Sequence, residues 1–416
     1  MKEFFKHYGQ TVILLLSIII GAIIGLIWKE GATVLSPFGD IFLNLMFVII
    51  VPLVFLTIST SIARIKQPKR LGKIMGSIVL IIVITSIIAV LIGLLSTFFV
   101  KLVDVEDGEA ILASLEENSE EEATEDLNIL ERTVSAITVS DFTGLLSKNN
   151  LIAIVIFSIL FGCAVKMAGE KGKPVQDFLE SATTVIMNLL KIVMYYAPIG
   201  LGCYFAALVG SFGANIALGY AKTFIIYLIV SVLYYFVMYT IYAFIAGKKN
   251  GVKVFWKNVI PPTVTALATC SSGASIPVNM KAAENMGISN DIAETSIPLG
   301  TNLHKDGSII GSVFKVMFLV CLFGTNIATF GGAMQILLVS LVATLLVTAV
   351  PIGGGTISEM MILSMMGYPI AALPILTIIA TIIDCPATVL NVVGNTSSAM
   401  LVSRVVDGKN WLKEEK

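Results

Sequence analysis

Residues 268–280 read ATCSSGASIPVNM, and residues 351–359 read PIGGGTISE. Each stretch sets Gly, Ser and Pro in the middle of an apolar segment. Neither flank is long enough alone to cross a bilayer, which takes about 20 apolar residues as a helix. Such a segment reads as a re-entrant hairpin with its tip inside the membrane. Non-helical backbone at that depth survives only where protein buries it or where it lines a cavity. Each hairpin is followed by a longer apolar segment with a polar break of its own, LGTNLHKDGS at 299–308 and DCPATVLNVVGN at 384–395. Hairpin then broken helix, twice, is an internal repeat, and counting crossings sets the copies in opposite orientation. Interrupted segments at matching places of inverted repeats mark where a binding site belongs.

The rest of the chain sets the frame. Hydrophobic residues make up 56% of it, above the roughly 45–50% of soluble domains. Apolar runs recur at Thr11–Trp28, Ile41–Ile62, Ile74–Val100, Leu151–Met167 and Thr223–Ala246. They do not alternate as barrel strands would, so spanning helices are expected, with a fifth at 176–210 and a sixth at 218–246. The first run follows Lys2 and Lys6 as a signal peptide does. It lacks a small-residue cleavage site and is long enough to span, so it reads as a retained helix. The net charge of −1 implies no nucleic-acid partner. Cys163, Cys203, Cys270, Cys321 and Cys385 show no CxxC spacing and read as buried free thiols.

Basic residues cluster at 64–73, 166–173 and 247–257. The positive-inside rule puts these on the cytoplasmic side. The acidic stretch 104–132 then falls outside, as a solvated loop rather than a calcium site. This predicts a multi-pass protein of the plasma (inner) membrane with both termini cytoplasmic.

His304, Lys305, Asp306, Glu359, Asp384, Asn391 and Asn395 fall in or beside apolar sequence. A charge at the bilayer centre costs several kcal/mol, so it is usually paired and functional. The plainer reading is that some of these groups pair to hold the bundle together, Glu359 and Lys315 above all. Asp306 and Asp384 also admit an aspartyl intramembrane protease, but Asp306 precedes Gly307, whereas that chemistry needs Gly before Asp. An ion channel is a further alternative. With His7 and His304 as the only histidines, no zinc ligand cluster exists.

SSGASIPVNM, IPLGTNLHKDGS and DCPATVLNVVGN, together with YYAPIG at 195–200 and ITS at 84–86, occur in an order that resembles the dicarboxylate/amino acid:cation symporter family. The resemblance covers nearly the whole chain. It implies an all-α polytopic membrane protein, with eight transmembrane helices and two opposed re-entrant hairpins. It also implies a homotrimer among membrane lipid, an elevator mechanism, and no enzymatic activity or cofactor. Residues 1–73 would hold scaffold helices 1 and 2, and 74–103 helix 3 of a transport domain. Residues 104–149 would form the acidic extracellular loop and the start of helix 4, and 150–212 scaffold helices 4 and 5. The remainder of the transport domain would be 213–416. The second hairpin would gate the site, with Pro351, Gly353, Gly354, Gly355 and Glu359 in or near its tip.

By the same resemblance, Asp384 meets the amino group of the substrate, a charge-assisted bond. Asn391, Ser271 and Ser272 hold its α-carboxylate, and Thr388 lines the pocket. Members that carry acidic substrates have Arg at the position of Ala387, where its planar fork clamps a side-chain carboxylate. Alanine cannot do so, which predicts a small neutral amino acid as substrate.

The family's N-M-D-G-T motif reads His304, Lys305, Asp306, Gly307, Ser308 here. Thr85, Ser86 and Asp306 match sodium-site residues, and Gly300 and Asn391 belong to the same ion-coupling set. The site Asn has become His304, and Asn395 stands where a ligating Asp is usual. Hard cations need oxygen ligands, so at least two sodium sites are weakened. Lys305 would supply a built-in cation paired with Asp306, and both Lys305 and His304 suit proton traffic. A sodium-independent, proton-coupled carrier is therefore expected. Sodium at a carbonyl site near the second hairpin is the alternative. Ser312 stands where potassium-countertransporting members have Glu, which argues against potassium.

Overall fold

A computed structural model of the protein describes residues 2–63, 71–103, 138–147, 150–325, 327, 329–345, 355–409 and 411–412. Every regular element among them is helical. The acidic stretch 104–132 and most of the basic stretch 64–73 lie outside the described residues.

The apolar runs form α1 (Lys2–Trp28), α2 (Ser36–Ala63), α3 (Leu71–Phe98), α4 (Leu151–Met167), α5 (Lys173–Phe212) and α6 (Ala214–Asn258). Their outward faces are apolar. On α6, Ile225, Ile229, Phe236 and Phe244 are each more than half exposed. A water-soluble protein seldom leaves such a stripe uncovered, and a helix in lipid satisfies its own backbone. This is the surface of a multi-pass membrane protein.

The basic stretch 247–257 is not a loop, as its charge suggests. The backbone leaves helical geometry at Gly247 and Lys248, and the chain then continues as a second helical piece of α6. Beside the kink, the Ala246 carbonyl accepts from Trp411 Nε1 at 2.8 Å.

Two sets of helices pack among themselves. In one, α5 lies against α1 and α2, and α2 against α4. Small residues let these backbones approach closely: a Cβ at Gly21 would run into the Gly202 carbonyl oxygen. In the other set, later elements gather with α3 and α6 around a single long helix, α13 (Leu373–Val406).

The first hairpin is α7 (Ile260–Thr269) and α8 (Ile276–Asn285), and α7 ends on Cys270 in the left-handed region. After it, α9 (Asn290–Leu303) and α10 (Asp306–Phe323) are parted by His304 and Lys305, both non-helical. That is the predicted break. The second hairpin is α11 (Phe330–Leu345) and α12 (Gly355–Met366), packed on each other. Its tip, with Pro351, Gly353 and Gly354, lies outside the described residues, and Gly355 opens α12.

The second predicted break is absent. Residues 384–395 lie inside continuous α13, across Pro386. Proline removes one ladder bond, but the polar side chains here find partners sideways on neighbouring helices and leave the backbone whole. The thiols also differ from expectation. All five are free, but only Cys270 is buried, while Cys163 is exposed on the outer surface of α4.

Candidate solute and ion site

The α9–α10 break presents His304, Lys305 and Asp306 to α3, α6 and α13. All three are fully buried, at 2% exposure or less. Nε2 of His304 lies 2.8 Å from Thr85 Oγ1 and 3.3 Å from Asp306 Oδ1. The Thr85 hydroxyl already donates to the carbonyls of Ile81 and Ile82, at 3.0 and 3.2 Å. It therefore accepts from histidine, and Nε2 carries the proton. Asp306 Oδ1 is buried and accepts no hydrogen bond, while Oδ2 accepts from Tyr234 at 3.0 Å. Ser86 is buried on the same helix as Thr85.

Lys305 was expected to pair with Asp306. Asp306 accepts from Tyr234 on Oδ2, and His304 Nε2 lies 3.3 Å from its Oδ1. Asp384 lies half-buried on α13.

Along α13, Asp384, Ala387, Thr388 and Asn391 recur at helical spacing on one face. Asn391 spans to the first turn of α10. Its Oδ1 accepts from the Ser308 backbone at 3.2 Å, and its Nδ2 donates to Ser308 Oγ at 2.9 Å. One free N–H of a helix N-terminus is thereby satisfied. Asn395 lies one turn further on. Oriented by its surroundings, its amide nitrogen donates to the carbonyls of Gly300 (3.1 Å) and His304 (3.3 Å), and its oxygen accepts from Thr301 N at 3.2 Å. It thus caps the end of α9.

Both hairpins flank this face. Asn279 of α8 donates to the Val392 carbonyl at 2.8 Å and takes a short bond from Thr396. At the tip, Ser271 is buried and Ser272 half-buried, and Ser271 Oγ accepts from Ala274 N at 3.2 Å. From the second hairpin, Glu359 is buried. Its partner is Lys315, as the plainer reading of the sequence had it: Nζ to Oε1 is 3.1 Å.

The tyrosines of α6 were not among the expected site residues. Tyr227 donates to the Gly307 carbonyl at 2.9 Å, Tyr239 to that of Leu390 at 2.6 Å, and Tyr234 to Asp306. They latch α6 onto the α10 entrance and the middle of α13. The available signal is the set of hydroxyl-bearing aromatics at 227, 234, 239 and 242 in an apolar helix.

A family model described as the sodium:dicarboxylate symporter family matches residues 11–405. A proton/sodium-glutamate symport protein of Geobacillus stearothermophilus is 28% identical, over 96% of this chain and 95% of that protein. Its namesake in Bacillus subtilis (strain 168) is 27% identical, over 95% and 92%. A C4-dicarboxylate transport protein of Agrobacterium fabrum is 27% identical, over 97% and 89%.

Proposed function

The chain belongs to the sodium:dicarboxylate symporter family, and on that footing we propose that it is a secondary active transporter of a small neutral amino acid, driven by protons without sodium. The observation that carries the coupling half is that the backbone carbonyls beside the expected cation site are already hydrogen-bonded from within, by the Asn395 amide, and that an imidazole stands where the cation would. The His304 imidazole sits between Thr85 and Asp306. The Asn395 amide occupies the Gly300 and His304 carbonyls. An oxygen that accepts from N–H is a poorer ligand for a hard cation.

The substrate half rests on Ala387. The α13 face offers a carboxylate for an ammonium at Asp384 and an amide for a carboxylate at Asn391. At Ala387 it offers nothing that would clamp a second carboxylate. The names of the relatives favour a different reading, sodium-driven carriage of glutamate or a C4-dicarboxylate.

We further assign α1, α2, α4 and α5 to a scaffold and the elements around α13 to a moving body, with eight spanning segments and two re-entrant hairpins. The separate packing of the two helix sets supports this. We also assign the scaffold to a homotrimer, as the resemblance implies.

Uptake of labelled serine, alanine, threonine and aspartate into proteoliposomes, under separate sodium and proton gradients, tests the reading. Neutral uptake on a proton gradient alone is expected. Sodium-driven aspartate uptake would overturn both halves.

A further inference from the structure

Cys270 ends α7 at the tip of the first hairpin, and Cys385 follows Asp384 on α13. Their sulfurs converge on one acceptor. Each Sγ lies 4.0 Å from the Leu267 carbonyl oxygen, Cys270 from the same helix end and Cys385 from across the interface. The two thiols also interact with each other. Cys270 is buried, and Cys385 is half-buried.

A buried thiol is usually a small apolar filler. Two features set this pair apart. Cys270 adopts φ 44° and ψ 37°, the left-handed region that glycine commonly fills at a helix end. A side chain kept there despite the strain points to a use for it. The pair also straddles the solute site. Cys270 adjoins Ser271 and Ser272, read above as partners of the α-carboxylate, and Cys385 adjoins Asp384, read as the partner of the ammonium.

We propose that Cys270 and Cys385 form a modification site, a dithiol that a small disulfide converts to a covalent bond between the first hairpin and α13, and that this bond switches the carrier off. The switch rests on the reading of Ser271, Ser272 and Asp384 as the solute site, whereas formation of the bond does not. Cys385, the more exposed thiol, loses its proton and attacks one sulfur of the reagent RSSR. This forms a mixed disulfide and releases RS−. Cys270 then loses its proton and attacks Cys385 Sγ, which releases the second RS−. One S–S bond replaces another, two electrons pass from the cysteines to the reagent, and both protons leave on two RSH. An S–S bond is about 2.05 Å long, shorter than any packing contact between sulfurs. Its formation draws the hairpin tip onto α13 and narrows the space between Ser271 and Asp384. In reducing surroundings the pair rests as thiols, so the carrier is on by default.

The test treats the full chain with hydroxyethyl disulfide and then with dithiothreitol. Mass spectrometry of its peptides reads the bond. Serine and aspartate binding in detergent, and uptake into proteoliposomes, read the switch. Expected after oxidation are a linked Cys270–Cys385 peptide, roughly tenfold weaker binding and loss of uptake, all restored by dithiothreitol. Cys270→Ser and Cys385→Ser should each bind as the reduced wild type does and keep that binding through oxidation.

Absence of the linked peptide overturns the proposal, and so does a linked peptide with binding and uptake unchanged. Equal loss of binding in both variants would assign the effect to other thiols and overturn it too. If the reduced wild type binds neither amino acid, the solute-site reading falls and the switch with it, whether or not the linked peptide forms. The linked peptide and its reversal are read on wild type alone, so they decide the matter even where a variant does not fold.

Discussion

Nε2 of His304 and Oγ1 of Thr85 stand 2.8 Å apart, so α3 is fastened to the α9–α10 junction through an imidazole ring. Replacing that ring with the family's smaller amide, in His304→Asn, opens the space between Thr85 and Asp306 to a cation. Sodium should then raise the melting temperature in detergent. At a concentration a hundredfold above its Kd the gain is about 2.7 kcal/mol. A variant as indifferent to sodium as the wild type would count against imidazole exclusion.

Asn395→Asp acts on the other self-satisfied group. It turns a donor to the Gly300 and His304 carbonyls into an acceptor facing acceptors, and the fold should then depend on a cation. Melting curves in sodium and in choline should diverge for this variant and coincide for wild type.

Ala387→Arg places a guanidinium on the face of α13 that carries Asp384 and Asn391. A hydrogen bond to a charged group is worth about 1.5–3 kcal/mol, roughly ten- to a hundredfold in affinity. Competition of aspartate against labelled serine should improve by that order. No change in the ratio would mean that position 387 does not face the substrate side chain.

Tyr234→Phe removes the donor at Asp306 Oδ2 and leaves the imidazole as that carboxylate's remaining described partner. The expected loss is about 1.5–3 kcal/mol of stability, read by thermal or denaturant unfolding. Uptake should fall with it if Asp306 takes part in coupling.

Gly394→Ala tests how tightly the network is packed. The added Cβ would lie 3.0 Å from the Tyr239 hydroxyl and 3.1 Å from His304 Cε1. Overpacking of this kind costs about 1–3 kcal/mol. Relief by a second change, Tyr239→Phe, would locate the clash.

The features legible in the sequence were those where composition and backbone change together. Gly, Ser and Pro at 268–280 announce the first turn, because no apolar helix needs them there. His304 and Lys305 announce the α9–α10 break. At 384–395 the same reasoning failed. A polar residue in an apolar helix either interrupts the backbone or crosses to a neighbour, and Asn391 and Asn395 cross, to Ser308 and to the end of α9. The tyrosines of α6 went unread because an aromatic ring facing lipid and one reaching a buried carboxylate look alike in one dimension. Glu359 and Lys315, read from the sequence as holding the bundle together, do pair, at 3.1 Å across 44 residues of chain, because neither charge could be left alone among apolar helices.

The unbroken run of α13 has a mechanical consequence. The second hairpin is moored to it at Thr377 and the first at Thr396, on one rod whose hydrogen-bond ladder fixes the interval between them. At 1.5 Å per residue that interval is about 28 Å, and it cannot shorten without unwinding helix. The two moorings therefore travel together, as points on a spar. No change in the spacing of the two hairpins can come from the rod that carries them.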